Sequence, residues 1–202
     1  MAMMILALKR VARPVLPALP AARRPWELAL KRIQTLETER LRLIPLESGD
    51  SDLLFPIMSD PQVIAHWDCE SLDAPELVAD MVDGQVLEMA CGRGFFWSVR
   101  DRDGRFLGVC ELAELDRTAR TGEIGFIFSP EAWHGDQALE ALEAVVCCAG
   151  GLGLRRVNGR TCLGDRRAEA LLQRLGFRQA GLERGPLIDD QRRDRRRFIL
   201  SL

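Results

Sequence analysis

A strand, a helix and a second strand follow one another between residues 122 and 162, and this pattern constrains the fold more than any other part of the sequence. Residues 122–128 (GEIGFIF) are apolar and aromatic and end at Ser129-Pro130, which is typical of a strand. Residues 136–149 repeat small and apolar side chains at helical spacing, and residues 155–162 predict the next strand. Strands joined by a helix lie parallel in one sheet, and ligands bind such sheets beyond the carboxyl ends of the strands. We therefore expect a ligand site at the connection formed by residues 130–138.

The remaining patterns predict further strands and helices on either side of this unit. Helices are predicted over residues 50–58, 73–91 and 166–175, and strands over residues 39–46, 95–100, 106–115, 177–184 and 197–202. The expected apolar faces of the two longest helices consist of Val78, Met81, Val82, Gln85, Val86 and Met89, and of Ala138, Leu142, Val145 and Ala149. The arginine-rich run at residues 192–197 is expected to be a solvated hairpin turn. Together these elements predict an α/β fold with a mixed sheet in a single domain.

Positive charge is concentrated at the start of the chain. Up to residue 32 there are seven basic residues and one acidic residue, and because the 202 residues together carry a net charge of −2, the remainder carries −8. Prolines recur there among apolar residues, so we expect residues 1–35 to be a basic, disordered arm, with an organelle transit peptide as the alternative, and residues 36–202 to be the domain. An acidic domain is unsuited to a phosphate backbone, which argues against nucleic acid as a partner and favours a cationic substrate such as an amine.

Few side chains can act as acids or bases near neutral pH, because the chain has two histidines and no tyrosine. Its six cysteines form no CxxC pair and no zinc-type spacing, so the sequence predicts no metal site. We expect the cysteines to be small buried side chains in a reducing cytoplasm, with a reactive thiol as the alternative for any one of them. No segment approaches the roughly 20 apolar residues that span a membrane.

Four segments carry a resemblance to a known family. They are residues 38–43 (TERLRL), residues 96–108 (FWSV, then DG and LG), residues 122–126 (GEIGF) and residues 171–181 (LLQRLGF, then Gly181). With them the chain resembles the GNAT superfamily of N-acetyltransferases, and within it the RimJ/RimL type of ribosomal-protein N-acetyltransferase, over residues 38–202. The resemblance implies a single GNAT-type domain with a central, mostly antiparallel sheet, one parallel strand–helix–strand crossover and helices on both faces.

The same resemblance implies acetyl-CoA as the co-substrate. The strand backbone that includes Phe126, Ile127 and Phe128 would contact the pantetheine arm and the thioester, and the start of the next helix would bind the pyrophosphate. The other implied contacts are His134, Gly135, Asp136, Gln137, Ala138 and Asp165.

The sequence departs from the family pattern at the phosphate loop and before the last helix. Two customary glycines fall on His134 and Asp136, so the Asp136 carboxylate either faces and repels the diphosphate or points to solvent and caps the helix. A customary Asn falls on Asp165, which can still cap a helix, and a customary Ser falls on Ala168, whose side chain has no hydrogen-bonding group.

Glu123 is the first candidate for a general base, acting through water, and Glu111 on the neighbouring strand is the second. Each could instead be an exposed strand acid or a salt-bridge partner. An α-amine needs less help to lose its proton than a lysine does, so it suits a site poor in bases. We predict a cytoplasmic N-acetyltransferase, monomeric or homodimeric, that acts on a peptide or small-molecule amine; the alternative is a binding or sensor module with this fold.

Overall fold

A mixed sheet forms the centre of the computed structural model, which describes residues 35–65, 72, 74–133, 136–188 and 190–202. The predicted arm over residues 1–35 lies outside the described residues except for residue 35. In the described part of the chain, ten strands make one eight-stranded sheet and one short hairpin. The strands are β1 (Leu36–Glu37), β2 (Leu41–Pro45), β3 (Phe95–Asp101), β4 (Phe106–Asp116), β5 (Thr121–Phe128), β6 (Arg156–Cys162), β7 (Arg178–Glu183), β8 (Leu187–Ile188), β9 (Gln191–Arg192) and β10 (Arg195–Ser201).

Five α-helices connect these strands in the described ranges, together with two short 3₁₀ turns. The helices are α1 (Ser51–Met58), α2 (Pro61–Ile64), α3 (Pro75–Ala90), α4 (Gln137–Gly151) and α5 (Arg166–Arg174). The 3₁₀ turns are Ser48–Asp50 and Pro130–Trp133. Helix α2 was not predicted. Asp60 begins α2, since its side chain accepts a hydrogen bond from the Gln62 N–H and proline suits the first helical position.

The order of strands in the large sheet is β1-β2-β3-β4-β5-β6-β10-β7. Strands β5 and β6 are parallel and are joined by α4, whereas every other neighbouring pair is antiparallel. The predicted mixed sheet with one parallel crossover is therefore confirmed. Strand β10 lies between β6 and β7 and pairs with both, so the last strand in the sequence occupies an interior position.

Apolar side chains cover both faces of the sheet. Helices α4 and α5 pack on one face, where the predicted α4 residues Ala138, Leu142, Val145 and Ala149 are all buried. Helices α1 and α3 pack on the other face. On α3, Val78, Met81, Val82, Gln85 and Met89 are buried as predicted, and Val86 is partly buried. Burying these surfaces contributes about 25 cal/mol for each Å² of apolar area removed from water, which holds the helices on the sheet.

Two expectations about side-chain environment are wrong in part. The run at residues 192–197 is not a solvated turn throughout, because β10 begins at Arg195 and pairs with β6 and β7. Arg195 and Arg196 form ion pairs with Glu183 at 3.5 Å and with Glu169 at 2.9 Å, so carboxylates on neighbouring elements draw them into the sheet.

The cysteines are also less uniformly buried than we expected. Cys110 and Cys162 are buried in the sheet, but Cys91 and Cys147 are exposed at and near the ends of helices. No disulfide joins any two of the described cysteines. Among the described residues, no helix has the length and the apolar character that crossing a membrane requires.

Candidate active site

Strands β5 and β6 pair over only half of their length. The parallel register joins Thr121 to Arg156 and ends with Ile124 opposite Gly159. Beyond this pair both strands continue, β5 to Phe128 and β6 to Cys162, without facing each other as partners. The two strands therefore diverge at their carboxyl ends, where the sequence predicts a ligand site.

The divergence leaves backbone donors of β5 without a strand to bind. Ser129 donates its N–H to the Leu107 carbonyl at 2.8 Å, and residues of β5 continue in regular register with β4. Because N–H groups alternate between the two edges of a strand, those of Phe126 and Phe128 lie on the edge that faces the gap. A ligand in the gap could accept hydrogen bonds from them.

A cavity of about 440 Å³ lies at this gap. Phe126, Ile127 and Phe128 form its β5 wall, and Asp165 lies on the opposite side, after β6. Trp133 closes one end and packs edge-on against the rings of Phe126 and Phe128, with centroids 6.3 and 6.0 Å apart. These ring contacts give the cavity a fixed apolar wall.

A second cavity of about 310 Å³ continues from the first to the N-terminus of α4. Gln62, Trp133 and Arg167 line both cavities, so the two form a single cleft. Ala138 and Leu139, in the first turn of α4, line the far end. The first N–H groups of a helix lack partners within the helix and carry a partial positive charge, so this end of the cleft suits an anion.

Asp136 begins α4 in a left-handed conformation, with φ of 64°. Its side chain accepts no hydrogen bond from the helix, so the alternative in which Asp136 caps α4 is wrong. The carboxylate instead accepts a hydrogen bond from Arg174 Nη1 at 2.7 Å, which lowers the pKa of Asp136. Both side chains are more than half exposed and both residues line the second cavity, so the pair places opposite charges at the anion-binding end.

Asp165 and Ala168 occupy different environments. Asp165 caps α5, as predicted, because its carboxylate accepts a hydrogen bond from the Ala168 N–H at 3.0 Å. It also lines the first cavity. Ala168 is buried in the core beneath α5. Position 168 is therefore a packed core position in this chain, and the apolar side chain of alanine suits it.

Glu123 lies on β5, one residue before the last parallel pair, and is buried. Its Oε1 accepts a hydrogen bond from Arg160 Nε at 2.6 Å. Arg160, on β6, also lies within 3.4 Å of Glu183 and 3.8 Å of Glu114. Burial raises the pKa of Glu123, and the Arg160 guanidinium opposes that rise. Glu123 is therefore a salt-bridge partner, which the sequence analysis gave as an alternative to the role of base.

Glu111 lies on β4 with its side chain on the same face of the sheet as Glu123. It is 1% exposed, and neither carboxylate oxygen has a hydrogen-bond partner among the described residues. Burial raises the pKa of Glu111 to about 7; Glu123 and Glu114 add to the rise, and Arg160 opposes it. A carboxyl group in this state holds or releases a proton near neutral pH.

Sequence reasoning missed Arg160 and Gln62 as parts of this site. An arginine on a half-exposed strand carries no distinguishing pattern, and its link to Glu123 depends on which strands become neighbours. The Asp-Pro pair at residues 60 and 61 was a usable signal for the turn that carries Gln62. The predicted site residues His134 and Gly135 lie outside the described residues.

Comparison with known proteins agrees with this architecture. Residues 40–178 match the sequence profile of the acetyltransferase (GNAT) domain. The uncharacterized N-acetyltransferase YoaA of Bacillus subtilis is 27% identical over 151 residues, which cover 74% of this chain and 85% of that protein.

Solved structures show the same fold at lower identity. A RimL ribosomal alpha-N-protein acetyltransferase in complex with coenzyme A superposes with a TM-score of 0.73 at 12% identity, over 84% of this chain and 98% of that one. Mycobacterium smegmatis RimJ, in complex with a coenzyme A disulfide, gives a TM-score of 0.71 at 19% identity, over 80% of this chain and 81% of that one. The fold that the sequence implied is confirmed.

Proposed function

This chain belongs to the GNAT acetyltransferase family, and we propose that it transfers an acetyl group from acetyl-CoA to the α-amine of a protein N-terminus or of a small molecule. The observation that carries this proposal is the single cleft that runs from the gap between β5 and β6 to the N-terminus of α4. A thioester and a diphosphate need different surroundings, and the two ends of the cleft provide them.

The strand end of the cleft suits the thioester. The N–H groups of Phe126 and Phe128 can donate to an amide or carbonyl oxygen of an extended chain that adds to the edge of β5. A donor on the thioester oxygen stabilises the negative charge that develops there during attack. These contacts use the backbone, so they tolerate the changes in side chains that distinguish this sequence from its family.

The helix end of the cleft suits the diphosphate. The α4 N-terminus supplies unpaired N–H groups, and Arg167 and Arg174 supply positive charge on the opposite wall. Asp136 holds Arg174 in the absence of an anion. We propose that a phosphate competes with Asp136 for this guanidinium.

We propose Glu111 as the general base, acting through a water molecule, with Glu123 as a fixed negative charge beside it. Glu123 is held by Arg160, whose Nε donates to Glu123 Oε1 and whose charge opposes the rise that burial causes in the pKa of Glu123. Glu111 has no such partner among the described residues, and its pKa of about 7 lies near the pH at which a base is most effective.

The choice of an α-amine follows from the same pKa. An α-ammonium group loses its proton near pH 8 and a lysine near about 10.4. Proton transfer to a base with a pKa of about 7 is therefore unfavourable by about one pKa unit from the α-amine, and by more than about three pKa units from lysine. RimL, to which this fold is similar, is described as an alpha-N-protein acetyltransferase.

The proposed reaction is a direct transfer. The neutral amine attacks the thioester carbon, the C–N bond forms and the C–S bond breaks. Glu111 receives the proton that the amine loses, through water, and the thiolate leaves and takes a proton from water. No tyrosine exists in the chain to protonate that thiolate.

A binding or sensor module remains the second candidate, and Asp136 is the observation that favours it. A carboxylate at the anion-binding end of the cleft opposes a diphosphate. Such a protein would bind a ligand in the cleft without transferring an acetyl group.

The two candidates are separated by binding and turnover measured on the same preparation. We expect calorimetric titration to show acetyl-CoA binding in the micromolar range, and thiol release to begin when a peptide with a free N-terminus is added. The matched control is the same peptide with a blocked N-terminus and one internal lysine, which should release thiol at least about tenfold more slowly. Binding without thiol release for any amine tested would support the sensor, and no binding at millimolar acetyl-CoA would exclude the enzyme.

A further inference from the structure

Gly125 and Glu111 are direct partners across the β4–β5 ladder. A methyl group built on Gly125 would lie 2.3 Å from Glu111 Oε1, 2.7 Å from its Cγ and 2.8 Å from its Cδ. All three distances are too short for real contacts, and all three atoms belong to one side chain. The space above Gly125 is therefore occupied by the Glu111 carboxyl group and its stem.

The backbone gives no separate reason for glycine at this position. Gly125 does not belong to the glycines with positive φ, so an ordinary residue could adopt its conformation. Buried neighbours on the same face, Val109 and Ile127, limit where the Glu111 side chain could move. A residue larger than glycine would push the carboxylate away from its present place.

The Glu111 carboxylate lies against β5 beside the point at which β5 and β6 diverge. Gly125 is the first residue of β5 after the last parallel pair, and Ile127, two residues further on the same face, lines the cleft. Two residues of a strand span about 7 Å, a separation that water-mediated hydrogen bonds can bridge.

We propose that Gly125 is a positioning residue, which keeps the Glu111 carboxylate against β5 beside the reaction centre. This inference rests on the proposed function, in which Glu111 is the base. The charged groups that face Glu111 come from each strand around it: Glu114 on β4, Glu123 on β5 and Arg160 on β6, with Glu183 of β7 and Arg195 of β10 behind them.

Gly122 offers a matched control on the same strand. A methyl group there would meet only the tips of Leu115, Leu112 and Leu154, at 3.1 to 3.2 Å. Gly122→Ala therefore tests an added methyl group on β5 that leaves Glu111 untouched.

The decisive experiment measures kcat/KM against pH for Gly125→Ala, Glu111→Gln, their double variant and Gly122→Ala. We expect Glu111→Gln to reduce kcat/KM by about a hundredfold and Gly125→Ala by at least about tenfold, with a change in the acidic limb of the pH profile. In the Glu111→Gln background, Gly125→Ala should reduce kcat/KM by less than about a further twofold, because the displaced side chain no longer accepts the proton. Gly122→Ala should change kcat/KM by less than about twofold and should leave the pH profile unchanged.

Thermal unfolding supplies a second measurement that does not depend on turnover. We expect Gly125→Ala to lower the melting temperature when Glu111 is present, or to prevent folding, and to have little effect in the Glu111→Ala background, where the crowded atoms are gone. Equal effects of Gly125→Ala in both backgrounds would overturn the inference, as would losses in kcat/KM that multiply in the double variant. Full activity of Glu111→Gln would instead refute the base assignment in the proposed function, and the melting temperatures would still report whether Gly125 fits Glu111.

Discussion

Arg160 donates a hydrogen bond from Nε to Glu123 Oε1 at 2.6 Å, and the two residues lie on either side of the last parallel pair of their strands. A side-chain ion pair thus joins β5 to β6 at the point where the backbone pairing ends. The guanidinium is 14% exposed, so water screens its charge only weakly. Its charge opposes the rise in pKa of both buried glutamates of the candidate site.

Replacing Arg160 by Gln should move the acidic limb of the kcat/KM profile to higher pH. Arg160 opposes the rise in pKa of both Glu111 and Glu123, so its loss makes each carboxylate harder to ionise. We expect a shift of about one pH unit. Arg160→Lys retains the charge and should shift the limb much less; equal shifts for Gln and Lys would contradict the electrostatic explanation.

Replacing Glu111 by Gln should stabilise the protein at alkaline pH while it reduces activity. The pKa of Glu111 is about 7 in the folded protein and 4.5 for an ordinary glutamate, so between these values the folded state holds a proton that the unfolded state has lost. Stability therefore falls as pH rises through this window, by on the order of 3 kcal/mol in all. Urea unfolding should show that the free energy of unfolding of the variant, relative to that of the unmodified protein, rises up to about pH 7. Above that pH the difference should be constant.

Glu76→Gln is the control for this measurement, because Glu76 is an exposed carboxylate in the first turn of α3. We expect no comparable gain in stability for it. A pH-independent difference between Glu111→Gln and the unmodified protein would mean that Glu111 is ionised in the folded state throughout.

Asp136→Gly should tighten the binding of coenzyme A by about threefold to tenfold. The change removes a negative charge from the anion-binding end, frees Arg174 and places glycine at a residue whose φ is 64°. Calorimetric titration of both proteins at the same ionic strength measures the effect. Arg174→Gln should weaken binding, and an unchanged affinity in both variants would show that the diphosphate lies elsewhere.

Asp165→Ala should lower the free energy of unfolding by about 1 kcal/mol, because the first turn of α5 loses its side-chain cap. Asp165→Asn keeps an acceptor for the Ala168 N–H and should retain most of that stability. Urea unfolding of the two variants distinguishes a capping role from a purely electrostatic one, which Asn would not replace.

Local patterns were sufficient to predict much of this fold. The periodicity of residues 136–149 gave the buried face of α4, and the apolar run ended by Ser129-Pro130 gave β5 to within one residue. The parallel pair followed from chain connectivity, because a helix of this length returns the chain to the same end of the sheet.

The relations within the site could not be predicted in the same way. Glu111 and Glu123 were recognised as candidates, but the partner of each depends on register and strand order. Gly125 lies opposite Glu111 because of the β4–β5 register, and Arg160 reaches Glu123 because β6 follows α4 into the sheet. Likewise, the arginines that begin β10 are drawn from solvent by Glu183 and Glu169, which lie far from them in sequence.

The interior position of β10 sets an order of events during synthesis. Strands β6 and β7 emerge from the ribosome before residues 195–201, which pair with both of them. Until those residues are translated, the nascent domain has two open sheet edges, and exposed edges recruit other strands. We therefore expect a chain truncated before residue 195 to aggregate through these two edges.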